Sequence, residues 1–180
     1  NPRIPLPQEI FGQERRNSAG VDLSDPIVRE PLLERLAKLE SRSWKAAPGG
    51  GQGKGKAVLS PHDHRVQVGT VVEPNEADLD RMVRTAAAAQ QAWDELGGDE
   101  RARLLDPTAD LFEEHREGLF SLCIREGGKT LPDAVLEVRE AMDFLRFYAS
   151  EARRQFTGPQ VLPGPTGEQN ELRLHGRGVF

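Results

Sequence analysis

The segment "CIREGGKT", residues 123 to 130, ends in the Gly-Lys-Thr sequence that also ends a phosphate-binding loop. Such a loop needs a glycine five residues before its second glycine, and position 123 is a cysteine. A phosphate loop also follows a strand and opens a helix, whereas the residues before Gly127 are typical of a helix. We therefore reject a nucleotide-binding loop and predict that Gly127 and Gly128 end a helix.

Three further residues have chemistry that requires an interpretation. His62 and His64 share a predicted turn, but no cysteine or third histidine stands at ligand spacing nearby, so we predict turn surface and no metal site. Cys123 is the single cysteine of the chain and lies mid-helix among apolar residues. No histidine or carboxylate stands at an activating spacing, so we predict a buried structural cysteine and not a nucleophile.

Two carboxylates lie beside aromatic residues on the longest predicted helix, which begins at Pro132. At 100° per residue, one stripe of this helix is apolar: Val138, Ala141, Met142, Leu145, Tyr148, Ala149 and Ala152. Beside it lies a second stripe of Glu137, Glu140, Phe144 and Phe147. Two interpretations stay open at this point: both carboxylates reach solvent or pair with an arginine such as Arg139 or Arg146, or one of them lines a pocket.

Composition limits the class of protein. The chain has 180 residues, about one domain, with 37% hydrophobic residues, a mean hydropathy of -0.58 and a net charge of -5. Acidic and basic residues are interspersed without a basic stripe, so we expect no nucleic-acid partner. A single cysteine fits a reducing cytoplasm. Because the first residue is not Met and the last segment is strand-like, we expect an excerpt of a larger protein.

The elements that must position these residues follow from turn and cap patterns. Residues 1–22 are predicted to form an extended arm on a partner surface, followed by a helix over 25–41 that Pro31 breaks or restarts. Residues 46–56 are predicted to form a flexible Gly-rich loop. A β-hairpin is expected next, with its turn at residues 60–63. Residues 170–180 are predicted to form a half-exposed strand that needs a partner.

Between hairpin and last strand the sequence predicts helices. Asn75 is a predicted N-cap with Asp78 at the capping-box position, and glycines 97 and 98 end that helix. Asp99 is predicted to cap the next helix, which contains Pro107. There the helix either kinks, or Asp106 caps a fresh helix with the proline at its first position.

Three segments of the chain resemble the amino-terminal third of aldehyde dehydrogenases: "GTVVEPNEADLDRMVRTAAAAQQAWDEL", "ERARLLDPTADLFEEHRE" and "REGGKTLPDAVLEVREAMDFLRFYA". The flanks "NPRIPLPQEIFGQERRNSAGVDL" and "GPTGEQNELRLHGRGVF" are similar to the bifunctional proline utilization A enzymes. The resemblance implies an α/β fold of which this chain is the helical and β-hairpin part. It implies a connector at 1–45, which includes the arm, a Gly-rich loop at 46–56 and the dehydrogenase part at 57–180. Pro107 and the Gly-rich stretch depart from the family pattern.

The resemblance implies an NAD-dependent oxidation of glutamate γ-semialdehyde to glutamate, in a parent that also oxidises proline with FAD. In that family a cysteine thiolate attacks the aldehyde, hydride passes to the nicotinamide, and a carboxylate activates water. None of these catalytic or cofactor-binding residues is expected within residues 1–180. Aligning "FLRFYA" with the family places a substrate-binding glutamate at Glu140, facing the aldehyde pocket.

The partners implied are a small-molecule substrate and a second copy of the chain, which pairs through the strand near 170–180. Peripheral membrane association of the parent and a cytoplasmic location complete these expectations. Two alternatives stay open: a stand-alone aldehyde dehydrogenase for another aldehyde, and a non-catalytic helical module that serves assembly.

Overall fold

The computed structural model describes residues 3–47 and 53–179. A 3-10 turn spans Pro7–Glu9. The helices within the described residues are α1 (Pro26–Leu39), α2 (Glu76–Glu95), α3 (Gly97–Glu114), α4 (Arg116–Arg125) and α5 (Leu131–Gln155). The strands are β1 (Trp44–Ala46), β2 (Lys56–Leu59), β3 (Gln67–Val71), β4 (Gln160–Leu162) and β5 (Asn170–Leu172). No helix in the described ranges is long and apolar enough to cross a membrane.

The predicted β-hairpin is confirmed, because β2 pairs with β3 in antiparallel orientation. Its turn is closed by the Ser60 N–H, which donates to the Val66 carbonyl at 2.9 Å. The sequence did not predict β1, which adds a parallel strand on the other side of β3. Gly69 permits this pairing, since a Cβ there would lie 2.2 Å from the Trp44 carbonyl oxygen. The sheet therefore depends on a glycine in the middle of its central strand.

Side-chain caps start three of the helices. The capping box predicted for α2 is confirmed: Asn75 Oδ1 accepts from the Asp78 N–H at 2.9 Å, and the Asp78 carboxylate accepts from the Asn75 N–H at 3.3 Å. Asp25 accepts from the Ile27 N–H at 2.9 Å at the start of α1. Thr130 caps α5 by accepting from the Asp133 N–H at 3.4 Å. These caps satisfy N–H groups that have no partner within the helix.

Each of the two prolines that the sequence places in helical segments lies inside a continuous helix. Helix α1 runs through Pro31, so the predicted break is wrong; a proline removes one backbone hydrogen bond, and the adjoining Leu32 is buried in the core and holds the helix in place. Helix α3 likewise runs uninterrupted through Pro107. Asp106 therefore caps no new helix, and its carboxylate accepts instead from Arg153 at 2.7 Å.

The predicted cap at Asp99 is also wrong, because α3 begins two residues earlier. Gly97, which has a φ of 74°, ends α2 and opens α3 without a side-chain cap. The Gly98 N–H donates to the Phe156 carbonyl at 3.0 Å, and a Cβ on Gly98 would lie 2.0 Å from the Ala152 carbonyl oxygen. Contact with the end of α5 replaces the cap that a side chain would supply.

The core lies where α1, α4 and α5 meet. Its buried members are Leu32, Phe120, Ala134, Val135, Val138 and Met142. Helix α3 crosses α5 through small buried residues, Ala102 and Ala109 on α3 and Ala149 on α5. The apolar stripe predicted for α5 is confirmed at Val138, Met142 and Ala149. It is wrong at Tyr148, whose side chain is exposed while that of Arg146 is buried.

The arm does not lie on a partner surface at residues 17 and 18, which are buried against this chain's own α5. Of the predicted Gly-rich loop, residues 48–52 lie outside the described residues; its ends belong to β1 and β2. The last strand is shorter than expected, because β5 ends at Leu172. Phe180, the predicted end of that strand, lies outside the described residues. The partner of β5 is β4, in antiparallel register.

Candidate functional site

The Gly-Gly-Lys-Thr segment is a connection between two helices. The N–H groups of Gly128 and Lys129 donate back to α4 carbonyls at 3.1 Å, and Gly128 has a φ of 70°. Thr130 caps α5, and Lys129 Nζ forms an ion pair with the Glu137 carboxylate at 2.7 Å. The side chains of Lys129 and Thr130 and the N–H groups of both glycines thus have partners within this chain. The rejection of a phosphate loop is consistent with this geometry.

The two carboxylates of the second stripe of α5 have different surroundings. Glu137 pairs with Lys129, and this hydrogen bond raises the pKa of the lysine above its ordinary value. The expected arginine partner is therefore replaced by a lysine. Glu140 lies one turn further on, is exposed, and makes no hydrogen bond or ion pair with any described residue. Of the two, Glu140 is the carboxylate that is available to a ligand.

Glu140 lies in a groove of about 660 Å³ between the arm and α5, which we call the arm groove. Its apolar lining consists of Ile10, Phe11, Leu136, Phe144 and Phe147, and its polar lining of Arg15, Asn17, Arg139, Glu140 and Asp143. One of the two interpretations left open for the second stripe of α5 was that a carboxylate lines a pocket. The structure brings Glu140, Phe144 and Phe147 together in one groove, and it adds the arm as the opposite wall.

Hydrogen bonds at Ser18 hold the arm on α5. The Ser18 N–H and hydroxyl donate to the two carboxylate oxygens of Asp143 at 2.7 and 2.8 Å. Arg139 Nε donates to the Ser18 hydroxyl at 3.1 Å and lies 3.8 Å from the Asp143 carboxylate. Ser18 is fully buried. These three residues form a closed polar network, which we call the Ser18 latch, across 125 residues of sequence.

Arg15, on the arm, lies against two aromatic rings and has buried nitrogen atoms without a hydrogen-bond partner among the described residues. Its guanidinium carbon lies 3.6 Å from the centre of the Phe11 ring and 5.5 Å from the centre of the Phe147 ring. Its Nε and Nη1 atoms are buried and have no hydrogen-bond partner among the described residues. Sequence reasoning missed Arg15 and Ser18, because an irregular arm has no periodicity that assigns its residues to a face of α5.

The other residues that the sequence singled out are Cys123, His62 and His64. Cys123 is partly buried, and burial, followed by the charge of Glu137, raises the pKa of its thiol above the ordinary value. A raised pKa keeps the group a thiol, the opposite of what activates a nucleophile. In the described parts of the chain, neither His62 and His64 nor any other residues form a group of three or more possible metal ligands.

Comparisons with known proteins agree on the family. The aldehyde dehydrogenase family matches residues 49–180. The bifunctional protein PutA of Rhizobium meliloti is 41% identical over 91% of this chain, and that of Escherichia coli is 34% identical over 92%. In both cases the chain spans only 13% of the relative's length.

Solved structures give the same result. A crystal structure of bifunctional proline utilization A superposes with a TM-score of 0.74 at 34% identity, over 99% of this chain and 16% of that one. The 1-pyrroline-5-carboxylate dehydrogenase from Thermus with bound NAD gives a TM-score of 0.73 at 25% identity, over 83% of this chain and 30% of that one. The predicted fold class is confirmed.

Proposed function

The chain belongs to the aldehyde dehydrogenase family, as a mostly helical fragment of that fold, and we propose that its parent is a bifunctional enzyme of proline catabolism. The similarity to PutA proteins supports the second part. It covers 91% of the chain, more than residues 49–180 can supply, and so extends into the arm and α1. A relationship to aldehyde dehydrogenases alone gives no reason for similarity in that region.

The reaction that we propose is the oxidation of glutamate γ-semialdehyde to glutamate. The cofactor is NAD, which supplies the hydride acceptor, and FAD serves the proline-oxidising part of the parent. The Thermus dehydrogenase that carries NAD supports the choice of nicotinamide cofactor. We assign no residue of this chain to NAD or FAD and no residue to the catalytic nucleophile. The part of this chain is to bind the substrate away from the reacting carbon.

The observation that carries this proposal is the unpaired carboxylate of Glu140 in the arm groove. The Glu140 carboxylate is exposed and has no partner among the described residues, so it is available to accept charge-assisted hydrogen bonds from a ligand ammonium group. The α-ketoglutaric semialdehyde dehydrogenase of Bacillus subtilis, 40% identical over 59% of the chain, supports a competing substrate. A keto-acid aldehyde has no ammonium group, so Glu140 favours the amino-acid aldehyde.

The organisation of the parent follows as part of the proposal. Residues 1–45 connect to a proline dehydrogenase module, 46–56 form a Gly-rich loop, and 57–180 begin the aldehyde dehydrogenase module. The parent is a cytoplasmic oligomer in which the β4–β5 ribbon pairs with another copy. Exposed apolar residues on the ribbon, Val161 and Leu172, support this role. Peripheral membrane association of the parent rests on the resemblance alone.

The test is the variant Glu140→Gln in the full-length parent, with NADH formation measured from pyrroline-5-carboxylate. The glutamine keeps an acceptor oxygen but removes the charge, and a hydrogen bond between two charged groups is about twice as strong as one with a neutral partner. We therefore expect a roughly 3- to 13-fold fall in kcat/KM. Glutarate semialdehyde, which keeps the carboxylate but lacks the amino group, should be oxidised equally by both enzymes.

Glu137→Gln is the matched control, since it removes an equal charge one turn away. Glu137 is half-exposed and paired with Lys129, so its loss should cost at most about 1 kcal/mol of stability and leave the kinetics near those of the wild type. Equal kinetics for Glu140→Gln and the wild type would refute the role of Glu140. A wild-type parent that fails to oxidise pyrroline-5-carboxylate would refute the proposed reaction.

A further inference from the structure

A second cavity, of about 280 Å³, lies between the arm, α3 and α5. Its lining shares one residue, Arg15, with the arm groove. We call it the arginine cavity, because four arginines line it: Arg15, Arg16, Arg146 and Arg153. Four cations around a space of this size repel one another unless negative groups balance them. The negative groups in the lining therefore decide whether the cavity can accept an anion.

The carboxylates of the lining are fewer than its arginines. Arg153 donates to the Asp106 carboxylate at 2.7 Å, and Arg146 Nη2 donates to the Asp110 carboxylate at 3.0 Å. Glu14 is the third carboxylate of the lining. The two ion pairs are neutral, and Glu14 balances only one of the two arginines on the arm. With four arginines and three carboxylates, the lining carries one net positive charge.

Two of these arginines keep N–H donors that no described residue satisfies. Arg146 is only 5% exposed, and its Nη1 atom is buried without a hydrogen-bond partner among the described residues. Arg15 has two such atoms, Nε and Nη1. A buried donor without an acceptor is unfavourable. Since the carboxylates of the lining do not satisfy these atoms, the acceptors must come from outside the lining.

We propose that the arginine cavity binds a small oxyanion of the phosphate class, held between Arg15 on the arm and Arg146 on α5. A guanidinium binds phosphate oxygens through two parallel hydrogen bonds. It offers five N–H donors in one plane, so a rotation of its terminal atoms turns unsatisfied donors toward the cavity without movement of the backbone. Stacking on Phe11 leaves the edge of the Arg15 plane free for such bonds. The site goes beyond the proposed reaction, in which phosphate is neither substrate nor product.

An anion in this cavity would join the arm to the helix beneath it. Arg15 lies three residues before Ser18, and Arg146 lies three residues after Asp143, to which Ser18 donates. The anion and the Ser18 latch would therefore hold the same short segment of the arm at two points. Because only the closed arm brings both arginines to the cavity, bound phosphate should lower the population of the open arm.

Calorimetric titration of the full-length parent with inorganic phosphate measures the affinity. The ionic strength is kept constant, and NAD is present in excess so that a nucleotide site of the parent does not contribute to the heat. For Arg15→Met we expect a roughly 10- to 150-fold higher Kd, because a charge-assisted hydrogen bond is lost. Arg84→Met is the matched control, since it removes an exposed arginine on α2 that does not line the cavity, and its Kd should equal that of the wild type.

Asp110→Asn separates binding at this site from general damage to the fold. Asp110 is exposed, and its carboxylate competes with an added anion for Arg146. The substitution raises the net charge of the lining by one unit, so phosphate should bind roughly 2- to 5-fold more tightly. A variant that only damages the fold gives no such gain in affinity.

Hydrogen exchange tests the link to the arm. At a phosphate concentration of about ten times the Kd, a peptide that covers residues 14–21 should exchange about 11-fold more slowly, while a peptide from the β4–β5 ribbon should be unchanged. The proposal is overturned if the wild type binds no phosphate, if Arg15→Met and Arg84→Met have equal Kd values, if Asp110→Asn gains no affinity, or if phosphate leaves the 14–21 peptide unchanged. None of these results depends on the oxidation of an aldehyde, so the proposed function is tested separately.

Discussion

Ser18→Ala should loosen the arm without unfolding the helices beneath it. The substitution removes a hydroxyl that donates to Asp143 at 2.8 Å and accepts from Arg139 at 3.1 Å, while the Ser18 N–H keeps its bond at 2.7 Å. A hydrogen bond to a charged group contributes about 1.5–3 kcal/mol. The site is fully buried, so water does not replace the lost contacts in the closed arm. We expect the open state of the arm to become about 10- to 150-fold more populated.

Hydrogen exchange measures this population directly. In the full-length parent, a peptide that covers residues 14–21 should exchange faster in Ser18→Ala by the same factor, whereas peptides from the middle of α5 should be unchanged. Ser24→Ala is the matched control. Among the described residues this exposed hydroxyl bonds only to Asp22, at 2.6 Å, and its loss should change arm exchange by less than about twofold. Exchange of the 14–21 peptide that stays within twofold of wild type in Ser18→Ala would refute the latch.

Two further predictions concern residues outside the arm groove. Gly69→Ala places a Cβ 2.2 Å from a carbonyl oxygen of β1 and should lower the free energy of unfolding in urea by about 1–3 kcal/mol. Gly158→Ala is the control, because Gly158 has open space around it, and its free energy of unfolding should stay within about 0.5 kcal/mol of the wild type. Equal unfolding midpoints for the two variants would contradict the close approach of β1 and β3. Because burial raises the pKa of the Cys123 thiol, iodoacetamide should react with it more slowly at pH 8 in the folded protein than in denaturant. The reaction rate in the folded protein should still rise with pH where the rate of a free thiol no longer changes. A pH profile of the rate like that of a free thiol would contradict the burial.

Local patterns in the sequence correctly predicted caps, helix ends and turns, which depend on residues close to one another in the chain. The capping box at Asn75, the helix stop at Gly128 and the hairpin turn after Ser60 each involve residues within a few positions of one another. The wrong predictions concern features that depend on packing between residues far apart in the sequence. Pro31 stays inside α1, where the adjoining Leu32 is buried in the core and its packing compensates for one lost hydrogen bond.

The candidate site shows the same division between local and distant information. The stripe of Glu140, Phe144 and Phe147 follows from helical periodicity and was found from the sequence. The opposite wall was not found from the sequence, because the contacts of Arg15 with Phe147 and of Ser18 with Asp143 join residues that are distant in the sequence. Helical periodicity alone did not separate the two carboxylates of the stripe. The family resemblance singled out Glu140, and the structure adds that Glu137 forms an ion pair with Lys129.

The position of the arm suggests how specificity can be added to a general fold. The match to the aldehyde dehydrogenase family begins at residue 49. One wall of the groove is formed by residues that lie before it: Ile10, Phe11, Arg15 and Asn17. The wall on α5 belongs to the shared fold and supplies one charge. The groove is therefore built across the boundary of the family match, with one wall from residues before it and the other wall from α5 within it.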